Sequence, residues 1–231
     1  MRGYAPTGPA PDGRYQTGAL VADACAMHEA LGGDERAVVI GHDWGAQAAY
    51  GAAGFAPERW RRVVAMAVPP TPVVATNLLR YEQLRRSWYF FFFQSPLAEL
   101  AVTADDLAFL DYLWADWSPG YDASVDLAGV KEALRDPASL SAALGYYRAT
   151  FGAVPHDPAL AGQQAATSGI PGQPTLYLHG TDDGCMGVEM TEGLDTMLAA
   201  GSEVIVVKDA GHFLHLERPD EINAAIVAFV S

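Results

Sequence analysis

The stretch Ala37-Val-Val-Ile-Gly-His-Asp-Trp-Gly-Ala46 decides how this chain is read. A short apolar, β-branched run ends in Gly41-His42-Asp43-Trp44-Gly45, and a small-residue helix is expected from Ala46 to Gly54. The order is strand, sharp turn, helix. The residue at the apex of such a turn sits in a strained backbone conformation, and side chains two positions to either side would collide. That accounts for glycine at both places. Asp43 stands at the apex. It can be read as a cap on the helix N-terminus, or as a nucleophile presented where strand gives way to helix.

As a nucleophile, Asp43 dictates the chemistry. A carboxylate with a pKa near ~3.9 is already ionised at neutral pH and needs no base. It can attack an sp3 carbon bearing a leaving group and form an alkyl ester. It is poorly suited to opening esters or amides, because the product would be a reactive anhydride. Epoxides and alkyl halides are therefore the substrates this residue suits.

Working outward, the 231 residues suffice for one sizeable core with an insertion, and 50% hydrophobic composition places the chain among globular proteins. A net charge of −14 argues against nucleic acid and anionic membrane as partners. Cys25 and Cys185 are the only cysteines and lie far apart, so no disulfide framework is expected and a cytoplasmic setting fits. No signal peptide is evident, and the aromatic run Trp88 to Phe93 is too short to span a bilayer. A homodimer is left open.

Residues 1–16 read as loop. Thr17 is expected to cap a helix to about Leu31, with Leu20, Val21, Ala24, Met27, His28 and Leu31 on one packed face. Arg36 to Ile40 is the strand before the turn, and Val63 to Val68 a second. Their continuous apolar character suits a parallel sheet covered on both faces. From about residue 71 to 170 the composition shifts to Leu, Ala and aromatics at helical spacing, with breaks at Pro96, Ser118-Pro119-Gly120, Pro137 and Pro155. Pro174 to Gly180 is a third strand, Val188 to Ala200 a helix, Glu203 to Lys208 a fourth strand, and Asp220 to Val230 a closing amphipathic helix. The organisation is residues 1–70 as the first part of an α/β core, 71–170 as a helical insertion, and 171–231 as the rest of the core.

An aspartyl ester must be hydrolysed, which needs a base, and histidine is the usual one near neutral pH. A carboxylate must then fix its tautomer. After the third strand comes His179-Gly-Thr-Asp-Asp183, and after the fourth Asp209-Ala-Gly-His-Phe-Leu-His215. Their order assigns Asp183 as the acid, with Asp182 as its rival, and His212 as the base. His215 reads as a packing or hydrogen-bonding residue. His179, Asp182, Asp183, Cys185 and Glu189 follow no familiar ligand spacing, so no metal is expected, and the chemistry calls for no cofactor.

With these residues on the page, the chain resembles the epoxide-hydrolase branch of the α/β-hydrolase family over nearly its whole length. Gly41-His-Asp-Trp-Gly45, His179-Gly-x-x-Asp183 and Gly211-His-Phe-Leu-His215 are similar to the three triad regions, and Arg2-Gly3-Tyr4 to the segment after the family's fourth strand. The fold implied is an α/β-hydrolase core, here a parallel sheet of about four remaining strands, with a helical cap. Trp88-Tyr89 before Phe90-Phe-Phe-Phe-Gln94, and Gly145-Tyr146-Tyr147-Arg148, resemble the two cap segments whose tyrosines hydrogen-bond the epoxide oxygen. The resemblance picks Tyr89 and Tyr147, with Tyr146 a close rival, and places Trp44 and Trp88 at the substrate. A phenol with a pKa near ~10 can protonate the alkoxide as the ring opens, and a positioned acid is worth ~10²–10⁴ in rate.

The resemblance also implies strands upstream of Arg2 and a His-Gly-x-Pro segment with a second oxyanion donor. The sequence as given holds neither, leaving the Trp44 N–H; an oxyanion donor is worth ~2.7–4 kcal/mol. A gene start assigned too late is preferred over a natural fragment, and the elbow strand is expected to be an exposed edge. The expected function is opening of a small apolar epoxide to a vicinal diol through an ester at Asp43. The alternatives are a haloalkane dehalogenase of the same fold, and a truncated fragment or small-ligand binder without turnover. Fluoroacetate dehalogenases usually carry Arg where this chain has Trp44, which argues against them.

Overall fold

The computed structural model describes residues 1–231. Four strands, β1 (Ala37–His42), β2 (Trp60–Met66), β3 (Thr175–Gly180) and β4 (Glu203–Val207), form one parallel sheet in the order β1-β2-β3-β4. The β-branched runs explain both the strands and the two-sided cover. Val63, Ala65 and Tyr177 point to one face, where the cluster extends into the helical insertion, and Val64, Leu176 and Leu178 point to the other. All six residues of β3 are buried. Burying a leucine such as Leu176 stabilises by about 1.5–3 kcal/mol.

On the first face lie α1 (Thr17–Ala30) and α2 (Trp44–Phe55). Small residues let them approach closely: a Cβ at Gly51 would meet Val21 Cγ2 at 2.4 Å. On the opposite face α11 (Pro219–Val230) buries Ile222 and Phe229. The insertion comprises α3 (Thr71–Asn77), α4 (Tyr81–Arg86), α5 (Trp88–Phe92), α6 (Ala98–Trp117), α7 (Ser124–Leu134) and α8 (Pro137–Phe151). This is a helical cap on a parallel core. The proline breaks fall between these helices, and at α8 Asp136 caps Ala138 N ahead of Pro137 at the first turn. α9 (Ala161–Ala166) then returns to the core, where the Gln164 carboxamide donates to Thr17 Oγ1 (2.7 Å) and accepts from Gly18 N (2.8 Å). The short α10 (Leu214–Glu217) precedes α11. No helix is long and apolar enough to cross a membrane.

The structure corrects several local expectations. Residues 188–200 are not one helix but two 3-10 turns, Val188–Thr191 and Leu194–Thr196, because Gly193 between them takes a left-handed conformation (φ 71°) that ends any helix. Thr17 is not a cap: Gln16 holds that place without a side-chain bond, and the Thr17 hydroxyl is engaged by Gln164. Met27 (60%) and Leu31 (85%) are exposed, because α1 packs through Thr17–Val21 and Cys25, and in its last turns it is His28, against Trp60, that faces a neighbour. β1 is an edge strand and Ile40 is half exposed, so two-sided cover holds for β2 and β3 but not for β1. α6 changes direction at Ala104–Leu107, where Asp105 and Asp106 adopt left-handed angles that short acidic side chains tolerate.

Candidate active site

The site sits at the carboxyl ends of β1, β3 and β4. Asp43 follows β1 with φ 54°, ψ −121°, a strained conformation for a residue with a side chain. Asp43 N donates to Met66 O at 3.2 Å, tying the turn to β2. A Cβ at Gly41 would lie 2.0 Å from Gly45 O, so glycine is obligatory there. Gly45 differs from expectation: a Cβ there would meet nothing within 4 Å, because the space beside the first turn of α2 is open. Trp44 N donates to Asp43 Oδ1 at 2.6 Å, and the Asp43 side chain is 30% exposed. Asp43 is thus both cap and presented carboxylate, and the two readings of the sequence describe one geometry.

His212 Nε2 lies 3.3 Å from Asp43 Oδ2, and its Nδ1 lies 3.0 Å from Asp183 Oδ2. Asp183, fully buried, also accepts from Cys185 N and Met186 N, both 2.8 Å, at Oδ1. These bonds fix the carboxylate and hence the ring. The carboxylate of Asp182, the rival, accepts from Thr181 Oγ1 and takes no part in this contact. Burial works against the charged imidazole, but the Cys185 sulfur and the Asp183 and Asp43 carboxylates outweigh it and hold His212 well above its ordinary pKa. Burial likewise opposes the Asp43 charge, and His212 and the Trp44 N–H more than offset it, so Asp43 is held below the usual carboxylate range.

Sequence reasoning missed the supports of this centre. Trp117 O, at the end of α6, accepts from both His212 N (3.0 Å) and Gly184 N (3.1 Å). Ser118 Oγ donates to Glu217 Oε1 (2.8 Å) and accepts from Phe213 N (3.0 Å), while Glu217 Oε2 accepts from Gly211 N (2.8 Å). The buried Gln83 on α4 holds the acid loop, donating to Cys185 O (2.8 Å) and accepting from Gly187 N (3.0 Å). His42, bonded to His212 O at 2.9 Å, is pushed down to about 3 by burial and by His212, and is neutral near pH 7. His179 is also neutral, its Nε2 donating to Met186 O (2.9 Å) and its Nδ1 accepting from Tyr177 Oη (2.6 Å). His215 packs 4.6 Å from the His42 ring and stands apart from the triad contact.

The cap residues divide. Tyr147 lines the cavities at Asp43, packs edge-on against Trp44 (5.2 Å), and is raised well above the ordinary phenol value by burial and by Asp43. Tyr146 instead donates to Arg2 O at 2.6 Å and packs against Tyr4 and Tyr15. Tyr89 is buried with its hydroxyl 3.1 Å from Cys185 Sγ. Trp44 borders both cavities, whereas Trp88 is 44% exposed over a surface depression and is not brought to Asp43. The two cavities, about 250 and about 420 Å³, meet at Asp43, Trp44 and Tyr147. Their walls are mostly apolar: Val74, Leu78 and Phe151 in the smaller, Val102, Leu110 and Leu144 in the larger.

Comparison with known proteins agrees with this geometry. The sequence profile of the alpha/beta hydrolase fold matches residues 1–219. Epoxide hydrolase 4 of Mus musculus is 29% identical over 239 residues, spanning all of this chain and 64% of that protein. Epoxide hydrolase A of Mycobacterium tuberculosis (strain ATCC 25618 / H37Rv) is 26% identical over 243 residues, spanning 94% of this chain and 75% of that protein. This chain is therefore shorter than these relatives. A Bacillus megaterium epoxide hydrolase crystallised with an inhibitor superposes with a TM-score of 0.81 at 22% identity, covering all of this chain and 81% of that one, a likeness of fold. A strained Asp elbow after β1, a histidine held by a buried Asp, a helical cap and a profile match across most of the sequence lead to one conclusion: the chain belongs to the α/β-hydrolase family.

Proposed function

We propose that this protein hydrolyses small apolar epoxides to vicinal diols through an alkyl ester on Asp43. One observation carries the reading: the carboxylate on the strained elbow has His212 Nε2 at 3.3 Å, and that ring is held by Asp183 at 3.0 Å. Asp43 Oδ1, held by Trp44 N–H, becomes the ester carbonyl oxygen, and Oδ2 attacks an epoxide carbon. The C–O bond of the ring breaks, and a cap phenol gives its proton to the departing oxygen. Tyr147, on the cavity wall, is the first donor; Tyr89 is the second once its hydroxyl exchanges Cys185 Sγ for the substrate. His212 then takes a proton from water as that water attacks the Asp43 carboxyl carbon, with Trp44 N–H stabilising the oxyanion. The adduct collapses as the His212 imidazolium gives its proton to the departing diol oxygen, and the proton left on the Asp43 carboxyl returns to the phenolate through solvent. Trp44 and the apolar walls hold the substrate.

The names of the relatives, epoxide hydrolases of mouse and Mycobacterium tuberculosis, support epoxide over halide. The phenols add to that support, since a departing halide needs no proton. The test is trapping. His212→Gln incubated with an epoxide should leave the mass of one whole epoxide on the peptide holding Asp43; no adduct across the pH range would overturn the mechanism.

A further inference from the structure

Cys185 belongs to the Asp43 site and has no part in the proposed reaction. Its Sγ, a ring nitrogen of His212 and a carboxylate oxygen of Asp43 all lie within 4.8 Å of one another. Nε2 and Oδ2 stand 3.3 Å apart. Donor atoms on a tetrahedral zinc ion are separated by ~3.3–3.6 Å at ordinary bond lengths, so side-chain shifts on the order of 1 Å complete the triangle.

The surroundings suit a cation better than the three donors alone would. His212 Nδ1 is held by the Asp183 carboxylate at 3.0 Å, so a cation that displaces the Nε2 proton to solvent finds the lone pair directed at the Asp43 side of the site. A carboxylate behind the imidazole is the usual support of a metal-bound histidine. Tyr89 Oη lies 3.1 Å from Sγ and can donate to a thiolate. The backbone of Cys185 is fixed at both ends, its N–H on Asp183 Oδ1 (2.8 Å) and its C=O on Gln83 Nε2 (2.8 Å). A thiolate and a carboxylate together neutralise a divalent cation, which removes the penalty of burying net charge. Cys185 also borders the smaller cavity, so a fourth position opens onto it. A donor set of S, N and O selects a borderline-soft ion over magnesium or calcium.

We propose that Asp43, Cys185 and His212 form a binding site for a thiophilic divalent cation of the zinc type. Occupied, the site takes the lone pair of His212 and an oxygen of Asp43, so cation binding and ester formation at Asp43 exclude each other. The site depends on donor geometry and not on the identity of the organic substrate.

The test uses the full chain, stripped of metal with a chelator. Zn²⁺ is titrated in competition with a chromophoric chelator, and Co²⁺ is added separately as a spectroscopic probe. One equivalent should bind, and the Co²⁺ form should show near-ultraviolet thiolate-to-metal absorption. In Cys185→Ser that absorption should vanish. Zn²⁺ affinity should fall by more than the ~10–100-fold that loss of an outer partner costs. A Co²⁺ form without the thiolate band overturns the proposal and requires no variant to fold. Equal Zn²⁺ affinity in the wild type and in a folded Cys185→Ser also overturns it, by locating the metal elsewhere.

Discussion

Asp183→Asn separates the two chemical steps. The Asp183 side chain is fully buried, with Oδ1 accepting from Cys185 N and Met186 N at 2.8 Å each and Oδ2 facing His212 Nδ1 at 3.0 Å. An amide oxygen can keep the first two bonds. Its NH2 then faces Nδ1, which must accept rather than donate. The ring is driven to the tautomer with its proton on Nε2, aimed at Asp43, and can no longer take a proton from water. The equivalent exchange in a serine-protease triad lowers turnover by about 10⁴, which is about 5.4 kcal/mol at 1.36 kcal/mol per decade. Attack by Asp43 needs no base, so alkylation should survive. Rapid quench with an excess of epoxide, followed by mass analysis of the Asp43 peptide and assay of diol, should show the ester filling while diol release falls by about 10⁴. Diol release near the wild-type rate, or equal slowing of both steps, would refute the reasoning. Alanine is the poorer probe, since it strands two buried N–H groups at about 1–3 kcal/mol each.

Four groups of side chains yield further expectations. His212 is held well above its ordinary pKa, and only the neutral ring accepts a proton, so ester hydrolysis should rise with pH on the alkaline side of ~6.5; stopped-flow single turnovers read this. Esterification removes the Asp43 charge, so the midpoint in the ester form should lie below that of His212 in the free protein, followed by NMR. The same raised pKa stabilises the fold fully below ~6.5, and that contribution fades as pH climbs through the folded value. Gly41→Ala, whose Cβ would lie 2.0 Å from Gly45 O, should lower stability by at least about 1–3 kcal/mol. Gly45→Ala, with open space around it, should stay within about 0.5 kcal/mol in the same thermal melts. Tyr147→Phe should slow alkylation by an epoxide by ~10² or more. Tyr146→Phe should lose about 1 kcal/mol of stability, through its bond to Arg2 O, and leave alkylation alone.

The elbow, the four strands and the Asp183–His212 pairing were legible because each rests on local chemistry. β-Branched runs set the strands, a glycine two residues before Asp43 permits the turn, and loops after β3 and β4 carry the acid and base. What the sequence hid depends on contacts between distant segments. The sequence groups Cys185 only with its near neighbours, and it is the turn of the acid loop, where Cys185 N donates to the carboxylate that holds His212, that brings its sulfur to the Asp43 site. Gln83 and Glu217 stand in no motif, because their bonds reach Gly187 and Ser118, 104 and 99 positions away, respectively. The resemblance picks Tyr147 over Tyr146 only narrowly, and the bond that engages the Tyr146 hydroxyl with Arg2 O supports that choice. The exposed Met27 and Leu31 show the converse, since helical periodicity marks an apolar face without saying whether a neighbour covers it.

The central claim is that an oxygen of Asp43, and not of water, first bonds to the substrate carbon. A single turnover in oxygen-18 water, with protein in excess over epoxide, tests it directly. Attack by Asp43 should leave a diol free of the heavy isotope and put oxygen-18 in the peptide that holds Asp43. Oxygen-18 in the first-turnover diol with an unlabelled Asp43 peptide would contradict it, because water would then have opened the ring itself.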